Sequence, residues 1–121
     1  MSIRVALVGA GAHGHSHASA MNNLGMNGVD IKYELVVDEN PSRAAILAAE
    51  FKIPHSGDLG LLSSFSGDGV DICTPTHTHL EIAEICVNLG LPVLIDKPLS
   101  QSFHDADLII NIFKNAKVPL Q

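Results

Sequence analysis

Glycine and histidine residues crowd one short segment near the N-terminus, and the two residue types suggest different chemistries. The segment GAGAHGHSH, residues 9–17, contains three glycines and three histidines. The G-x-G-x-x-G spacing is typical of a turn whose backbone N–H groups approach a phosphate. Histidines at every second position are potential ligands for zinc or nickel. The elements on either side of the segment decide between these two interpretations.

The neighbouring elements favour a dinucleotide-binding turn. The apolar, β-branched run IRVALV before Gly9 predicts a buried parallel strand. A helix is expected over residues 13–24, closed near Gly25. In this context Gly9 makes the tight turn, Gly11 lets the backbone approach a pyrophosphate, and Gly14 allows close packing of helix and strand. The alternative is that the glycines only make a turn and bind nothing.

The start of that helix and one acidic residue complete this part of the predicted cofactor site. Ala12 and His13 lie at the helix N-terminus, whose free N–H groups and positive dipole end face a pyrophosphate. Asp38 ends the second predicted strand, YELVVD, where a carboxylate binds the adenosine ribose hydroxyls. Because a carboxylate repels a 2′-phosphate, NAD is favoured over NADP, although Arg43 nearby keeps NADP from being excluded. The alternative for Asp38 is a solvated strand-end residue.

The histidines are interpreted as bystanders to this site. On a helix, His13 and His17 share a face, whereas His15 points elsewhere. We expect His13 and His15 on an exposed loop and helix end, and His17 packed against the sheet. The local pattern offers no carboxylate or cysteine partner, so we predict no metal site, with a His13 and His17 pair as the alternative. His77 and His79 receive the same interpretation, with His79 packed or facing a ligand.

Strand-like and helix-like segments alternate along the whole chain. The strand patterns YELVVD, VDICT and LPVLID are separated by helical patterns such as SRAAILAAEF. A brief strand is also expected at residues 53–55 and a short helix at residues 58–63. The alternation predicts an α/β fold, a doubly wound and mostly parallel sheet (Rossmann fold) in one domain over residues 1–121. The final VPLQ predicts the opening of one more strand, so the sheet is expected to stop before its last strand.

Several residues predict where the helices begin and end. Asn40, followed by proline, predicts a helix N-cap, and Ser102 predicts the cap of the last helix. Thr78 and Glu81 have the spacing of a capping box, in which each side chain bonds the backbone at the other. Gly90 is placed to end the helix that follows.

Composition excludes several classes of function. The net charge is −6 with only 7 lysines and arginines, and no basic stripe that a nucleic acid would require is visible. No apolar run approaches the roughly 20 residues of a membrane-spanning helix. The first residues lack a signal-peptide cleavage pattern, so we expect a cytoplasmic protein. Cys73 and Cys86 match no zinc or redox motif and are expected to be buried thiols in a reducing compartment.

The segment CTPTHTHLEIAEICVNLGLPVLIDKPLS, residues 73–100, goes beyond a generic α/β pattern. It resembles the glucose–fructose oxidoreductase and inositol dehydrogenase (Gfo/Idh/MocA) family, whose cofactor domain carries T-P-x-x-x-H, a helix ending in glycine, and a strand ending in E-K-P. The positions that match are Thr74, Pro75, His79, Gly90, Lys97 and Pro98, with Gly9, Gly11, Gly14, His17 and Asp38 earlier in the chain. The resemblance covers essentially the whole chain.

The resemblance implies a nicotinamide-dependent oxidoreductase. Such an enzyme transfers a hydride between NAD and an alcohol or carbonyl group of a sugar, inositol or related polyol. In the family, the lysine of E-K-P lies beside the nicotinamide and the substrate hydroxyl, so Lys97 is the predicted catalytic residue, assisting proton transfer. Thr74 and Pro75 are expected to line the nicotinamide side of the cleft, with His79 just behind them.

The chain departs from the family pattern at one residue and in its length. Asp96 replaces the family's glutamate, which alters how Lys97 is held, and Asp96 and Pro98 complete the predicted cofactor site. Family members carry a second α/β domain with the substrate pocket, which 121 residues do not contain. We therefore expect the cofactor-binding half of a longer, homo-oligomeric enzyme that by itself binds cofactor and turns over little. The alternative is a non-catalytic NAD-binding sensor or regulatory module, which has no chemical need for Lys97.

Overall fold

The computed structural model describes residues 2–121, in which five strands form one sheet with helices on both faces. The strands are β1 (Ile3–Val8), β2 (Ile31–Val37), β3 (His55–Ser56), β4 (Gly69–Ile72) and β5 (Val93–Ile95). The helices are α1 (Ala12–Met26), α2 (Pro41–Phe51), α3 (His79–Asn88) and α4 (Phe103–Ala116). Two 3₁₀ helices, Leu59–Ser64 and Thr76–Thr78, precede β4 and α3. The predicted alternation of strands and helices is confirmed.

The order of the strands identifies the edge of the sheet at which a ligand can bind. The order is β3-β2-β1-β4-β5, and every neighbouring pair is parallel. The chain winds outward from β1 to β3, then crosses back to place β4 on the other side of β1. The doubly wound sheet is thus confirmed. Its switch point lies between the carboxyl ends of β1 and β4, where open α/β sheets leave a crevice for ligands.

Alternate residues of the central strand β1 pack on opposite faces of the sheet. Leu7 packs on one face with Ala18 of α1 and Leu47 of α2. Val8 packs on the other face, in the cluster that contains Phe113 of α4. Burying each large apolar side chain contributes about 1.5–3 kcal/mol, so these two clusters hold the helices against the sheet. The ends of the central strands are positioned by this packing.

Three of the predicted helix ends are confirmed. The Asn40 side chain accepts hydrogen bonds from two backbone N–H groups in the first turn of α2, at 3.0 and 3.3 Å. Ser102 accepts one from the backbone N–H of Asp105 at 3.1 Å and so caps α4. Gly90 follows α3 with a φ of 70°, the left-handed conformation that commonly ends a helix.

The predicted capping box at Thr78 and Glu81 is wrong. Thr78 ends the 3₁₀ helix Thr76–Thr78 and already has helical backbone angles, φ −96° and ψ −7°, rather than the extended angles of a cap. Its hydroxyl lies 2.7 Å from both the Pro75 carbonyl oxygen and the Thr74 Oγ1. Because the chain enters α3 from a helical turn, no cap of this kind can form there.

Other element boundaries shift by a few residues. Helix α1 continues through Gly25, the predicted end, to Met26, and Gly28 is the residue with a left-handed φ of 87°. Strand β3 comprises only His55–Ser56, slightly later than predicted. The predicted opening of a further strand is confirmed, because Leu120 forms a parallel bridge with Val93.

Both cysteines are buried and free, as predicted. Burial raises the pKa of Cys86 to about 12. Within residues 2–121, no helix combines the length and apolar character needed to cross a membrane.

Candidate functional site

A cleft of about 660 Å³ lies at the carboxyl edge of the sheet, at the switch point. It is lined by ten of the predicted site residues: Gly9, Gly11, Ala12, His13, Asp38, Thr74, Pro75, Asp96, Lys97 and Pro98. The other two, Gly14 and His79, pack behind its wall. Residues predicted from four separate segments of sequence therefore surround one space.

The three glycines of the turn differ in what surrounds them. Gly9 has a φ of 105°, and a Cβ there would lie 2.6 Å from the backbone of Cys73. A Cβ on Gly14 would lie 2.0 Å from the Gly9 carbonyl oxygen, so both positions exclude any side chain. Apart from Gly11 and its two chain neighbours, no atom of the described residues lies within 4 Å of a Cβ on Gly11, and Gly11 borders the cleft. The missing side chain at Gly11 leaves room for a ligand, as a pyrophosphate requires.

The N-terminus of α1 supplies hydrogen-bond donors at this position. Gly11 is its N-cap residue, and no side chain within residues 2–121 caps the helix. The first N–H groups of a helix have no partner within the helix and carry its positive dipole end. The N-termini of α2 and α4, by contrast, are capped by side chains. The residues around Gly11 thus fit an anionic phosphate group.

Asp38 is held in place by the backbone around it. Its side chain is only 8% exposed, which excludes the alternative of a solvated strand-end residue. One carboxylate oxygen accepts from the Ala10 N–H and the other from the Asn40 N–H, both at 2.8 Å. An Arg43 guanidinium nitrogen lies 3.6 Å from the carboxylate. Asp38 therefore fixes the glycine turn as well as facing the cleft, a role that sequence reasoning missed.

The opposite end of the cleft is built from the chain after β4 and β5. His79 is 1% exposed, and its ring nitrogens lie 3.0 Å from the Thr74 carbonyl oxygen and 3.1 Å from that of Leu99. The ring thus joins the end of β4 to the loop that follows Lys97 and Pro98. His79 acts on the cleft through these two segments and does not line it.

A contact between two polar side chains links helix α1 to the segment that carries Lys97. His13 Nδ1 lies 2.7 Å from Asp96 Oδ2, and the His13 side chain is largely exposed. Asp96 follows β5, and its backbone N–H donates to the Ile72 carbonyl oxygen at 2.9 Å. Because β4 lies between β1 and β5, the pair reaches across the end of β4. No sequence signal connects residues so far apart in the chain.

The other two histidines of the N-terminal segment contact different carboxylates. His15 Nε2 lies 2.8 Å from a Glu50 oxygen on the surface. His17 Nδ1 lies 2.8 Å from Asp71 Oδ2 and 3.2 Å from Cys73 Sγ, against the sheet as predicted. His13 and His17 therefore do not share a partner, which removes the geometric basis for a metal site between those two.

Asp71 is the centre of a buried polar cluster on the α1 side of the sheet. The Tyr33 hydroxyl and the Cys73 thiol both donate to its carboxylate. Burial, reinforced by Asp71, raises the pKa of Tyr33 and of Cys73 well above their usual ranges, so both stay protonated in this arrangement. The sequence of this segment predicts Cys73 as a small buried residue. It gives no indication of the partners of Cys73 or Asp71.

The doubly wound sheet, the glycine turn at an uncapped helix N-terminus and the buried acid after β2 together define an NAD-binding Rossmann domain. Residues 3–121 match the model of an oxidoreductase family with an NAD-binding Rossmann fold (GFO_IDH_MocA). The chain belongs to this family.

Individual relatives agree with this assignment. The chain is 37% identical over 110 residues to 4-carboxy-2-hydroxymuconate-6-semialdehyde dehydrogenase of Sphingobium sp. SYK-6, covering 89% of this chain and 34% of the relative. It is 32% identical to inositol 2-dehydrogenase 1 of Saccharopolyspora erythraea, over 91% of this chain and 33% of that protein. The crystal structure of GenD2 from gentamicin A biosynthesis, in complex with NAD, superposes with a TM-score of 0.88. It is 27% identical and covers 98% of this chain and 33% of that one. The chain thus spans about a third of the length of the relatives it matches.

Proposed function

We propose that this chain is the cofactor-binding part of an NAD-dependent oxidoreductase that acts on a hydroxyl or carbonyl group of a sugar, inositol or related polyol. The observation that carries the proposal is the single cleft, which has the glycine turn and Asp38 at one end and Lys97 at the other. A cleft that only held a nucleotide would not need a lysine after β5. The dehydrogenases among the relatives support the same class of reaction.

Each end of the cleft has a distinct part in this reaction. The N–H groups at the start of α1 bind the pyrophosphate, and Asp38 accepts hydrogen bonds from the adenosine ribose while its charge disfavours a 2′-phosphate. NAD, when bound, supplies the hydride acceptor. Lys97 would orient the substrate hydroxyl and assist the transfer of its proton, and Asp96, whose carboxylate contacts His13, would hold the segment that carries Lys97.

The substrate and the assembly of the whole protein are also part of the proposal. Inositol 2-dehydrogenases, UDP-N-acetylglucosamine 3-dehydrogenase and D-apiose dehydrogenase among the relatives point to a polyol or sugar. We propose that residues outside this chain complete the substrate pocket and that the whole enzyme is a homo-oligomer. NAD is preferred over NADP because the buried carboxylate of Asp38 faces the ribose.

The test replaces Lys97 in the full-length enzyme. Lys97→Ala is expected to lower kcat/KM by at least about 100-fold, the usual size of a general acid–base contribution, with less than a threefold change in the Kd for NAD measured by calorimetry. Lys114→Ala, which removes an exposed lysine on α4, is the control and should change neither quantity. Retained activity in Lys97→Ala would contradict the catalytic role of Lys97. NAD binding without any dehydrogenase activity in the unmodified full-length protein would instead favour a non-catalytic sensor. A protein that binds neither NAD nor NADP would contradict the whole proposal.

A further inference from the structure

We propose that His17, Asp71 and Cys73 form a binding site for a zinc-like divalent cation, between helix α1 and strand β4. The three side chains offer one nitrogen, one oxygen and one sulfur ligand, which lie within 4.8 Å of one another. His17 is 54 residues from Asp71 and 56 from Cys73 in the chain, so only the fold brings them together. The site uses none of the residues assigned above to the cofactor, although Cys73 also borders the cleft.

The three side chains approach one another about as closely as the ligands of a zinc centre do. His17 Nδ1 lies 2.8 Å from Asp71 Oδ2, and Cys73 Sγ lies 3.2 Å from His17 Nδ1 and 3.4 Å from Asp71 Oδ1. Tetrahedral coordination requires about 3.3 Å between nitrogen and oxygen and about 3.5 Å from sulfur to either. The His17–Asp71 and His17–Cys73 separations are therefore within about half an ångström of these values. The nitrogen and the sulfur contact different oxygens of Asp71, so a rotation of the carboxylate must bring one oxygen within reach of both.

The ligand types select the cation. Zinc binds thiolate, imidazole and carboxylate together, whereas magnesium and calcium require oxygen ligands throughout. Three protein ligands leave a fourth position for water. The site also has an entry path, because the His17 side chain is 30% exposed while that of Asp71 is 6% exposed.

The surroundings of Asp71 favour a cation. Among the described residues, no lysine or arginine pairs with this buried carboxylate, and His17 Nδ1 contacts it at 2.8 Å. A buried charge without a permanent counter-ion is costly, and a divalent cation would neutralise both the carboxylate and a thiolate. The buried Tyr33 hydroxyl donates to Asp71 and orients it, as groups outside the ligand set commonly do in metal sites.

Binding of the cation has a defined proton balance. The metal–sulfur bond replaces the S–H bond of Cys73, and the thiol proton is released to solvent. Nδ1 of His17 binds the metal through its lone pair, so a proton on that nitrogen moves to Nε2 or to solvent. Metal binding therefore releases at least the thiol proton, and the apparent affinity should increase with pH.

The first test titrates the purified protein with Co²⁺, which reports thiolate ligation by a sulfur-to-cobalt charge-transfer absorption, and then displaces it with Zn²⁺. One equivalent of Co²⁺ should produce this absorption, and one equivalent of Zn²⁺ should remove it. Cys73→Ala should abolish the absorption, whereas Cys86→Ala, at the other buried thiol, should retain it. No absorption at millimolar Co²⁺, or absorption that persists in Cys73→Ala, would overturn the proposal and leave a hydrogen-bond cluster.

A second variant addresses the possibility that Cys73→Ala fails to fold. His17→Gln changes a partly exposed side chain on α1 and should lower the Zn²⁺ affinity by at least about tenfold, as calorimetry would measure. His15→Gln, two residues away on the same helix, is the matched control and should bind Zn²⁺ like the unmodified protein. Equal Zn²⁺ affinity of the two variants, with both folded by circular dichroism, would show that His17 is not a ligand.

Discussion

Replacement of Asp38 by alanine should destabilise the protein even when no cofactor is present. The carboxylate accepts the backbone N–H groups of Ala10 and Asn40, both at 2.8 Å, and its side chain is 8% exposed. In Asp38→Ala both donors lose their acceptor at partly buried positions. An unsatisfied buried donor costs about 1–3 kcal/mol, and partial access of water places each of these in the lower half of that range. We therefore expect the free energy of unfolding to fall by about 2–4 kcal/mol.

The assay is urea denaturation of the free protein, followed by calorimetric titration with NAD and NADP. Glu39→Ala is the control, because Glu39 is the next residue and also borders the cleft but is exposed. It should change the unfolding free energy by less than about 0.5 kcal/mol, as is usual for surface substitutions. An Asp38→Ala variant as stable as Glu39→Ala would refute the anchoring role. If stability falls as expected, weakened binding of both NAD and NADP follows from loss of the turn.

Asp38→Asn removes the charge but keeps one oxygen that can accept a backbone N–H, so it should destabilise the protein less than Asp38→Ala does. The ratio of the calorimetric Kd values for NADP and NAD should fall by about tenfold. Gly14→Ala should destabilise the protein by at least about 3 kcal/mol in urea, since its Cβ would lie 2.0 Å from the Gly9 oxygen. Gly11→Ala should keep the stability but weaken NAD binding, because its Cβ meets only the open cleft; equal behaviour of the two variants would contradict the assignment of the turn. Burial holds the pKa of Cys86 at about 12 against an ordinary 9.0, so this thiol stabilises the fold below pH 9. That contribution should fall by about 1.4 kcal/mol per pH unit above pH 9, and urea denaturation from pH 8 to 11 should show a smaller loss in Cys86→Ala.

The parts of the fold that sequence predicts are those fixed by neighbouring residues. Asn40 caps α2 because the cap and the N–H groups it accepts lie within three residues. Thr78 has a similar local pattern but does not cap α3. A 3₁₀ turn that starts after Pro75 gives Thr78 helical backbone angles before α3 begins. The predicted helix end at Gly25 is also wrong. The left-handed conformation that would end the helix is adopted by Gly28 instead.

The candidate site likewise contains residues that the sequence predicts and contacts that it does not. The glycine spacing, Asp38 and Lys97 are predictable because each lies at the end of a strand that the pattern locates, and parallel strands bring their carboxyl ends to one edge. The contacts His13–Asp96 and His17–Asp71 are not predictable from sequence. Each joins helix α1 to a residue in or just after a strand, more than fifty residues away. Local neighbours alone predict that the histidines are bystanders, yet each contacts a carboxylate from a distant part of the chain.

The cleft and the proposed cation site meet at the end of strand β4. The Cys73 backbone packs against Gly9 at the turn, while its side chain faces α1 and His17. Both sites therefore depend on the position of α1, which packs closely against the Gly9 carbonyl because Gly14 has no side chain, but they use different ligands. A change that separates these elements, such as Gly14→Ala, should remove both NAD and Co²⁺ binding, whereas His17→Gln should remove only the latter. Because the cation would hold α1 against β4, the two elements that shape the phosphate end of the cleft, its binding should raise NAD affinity and not compete with it.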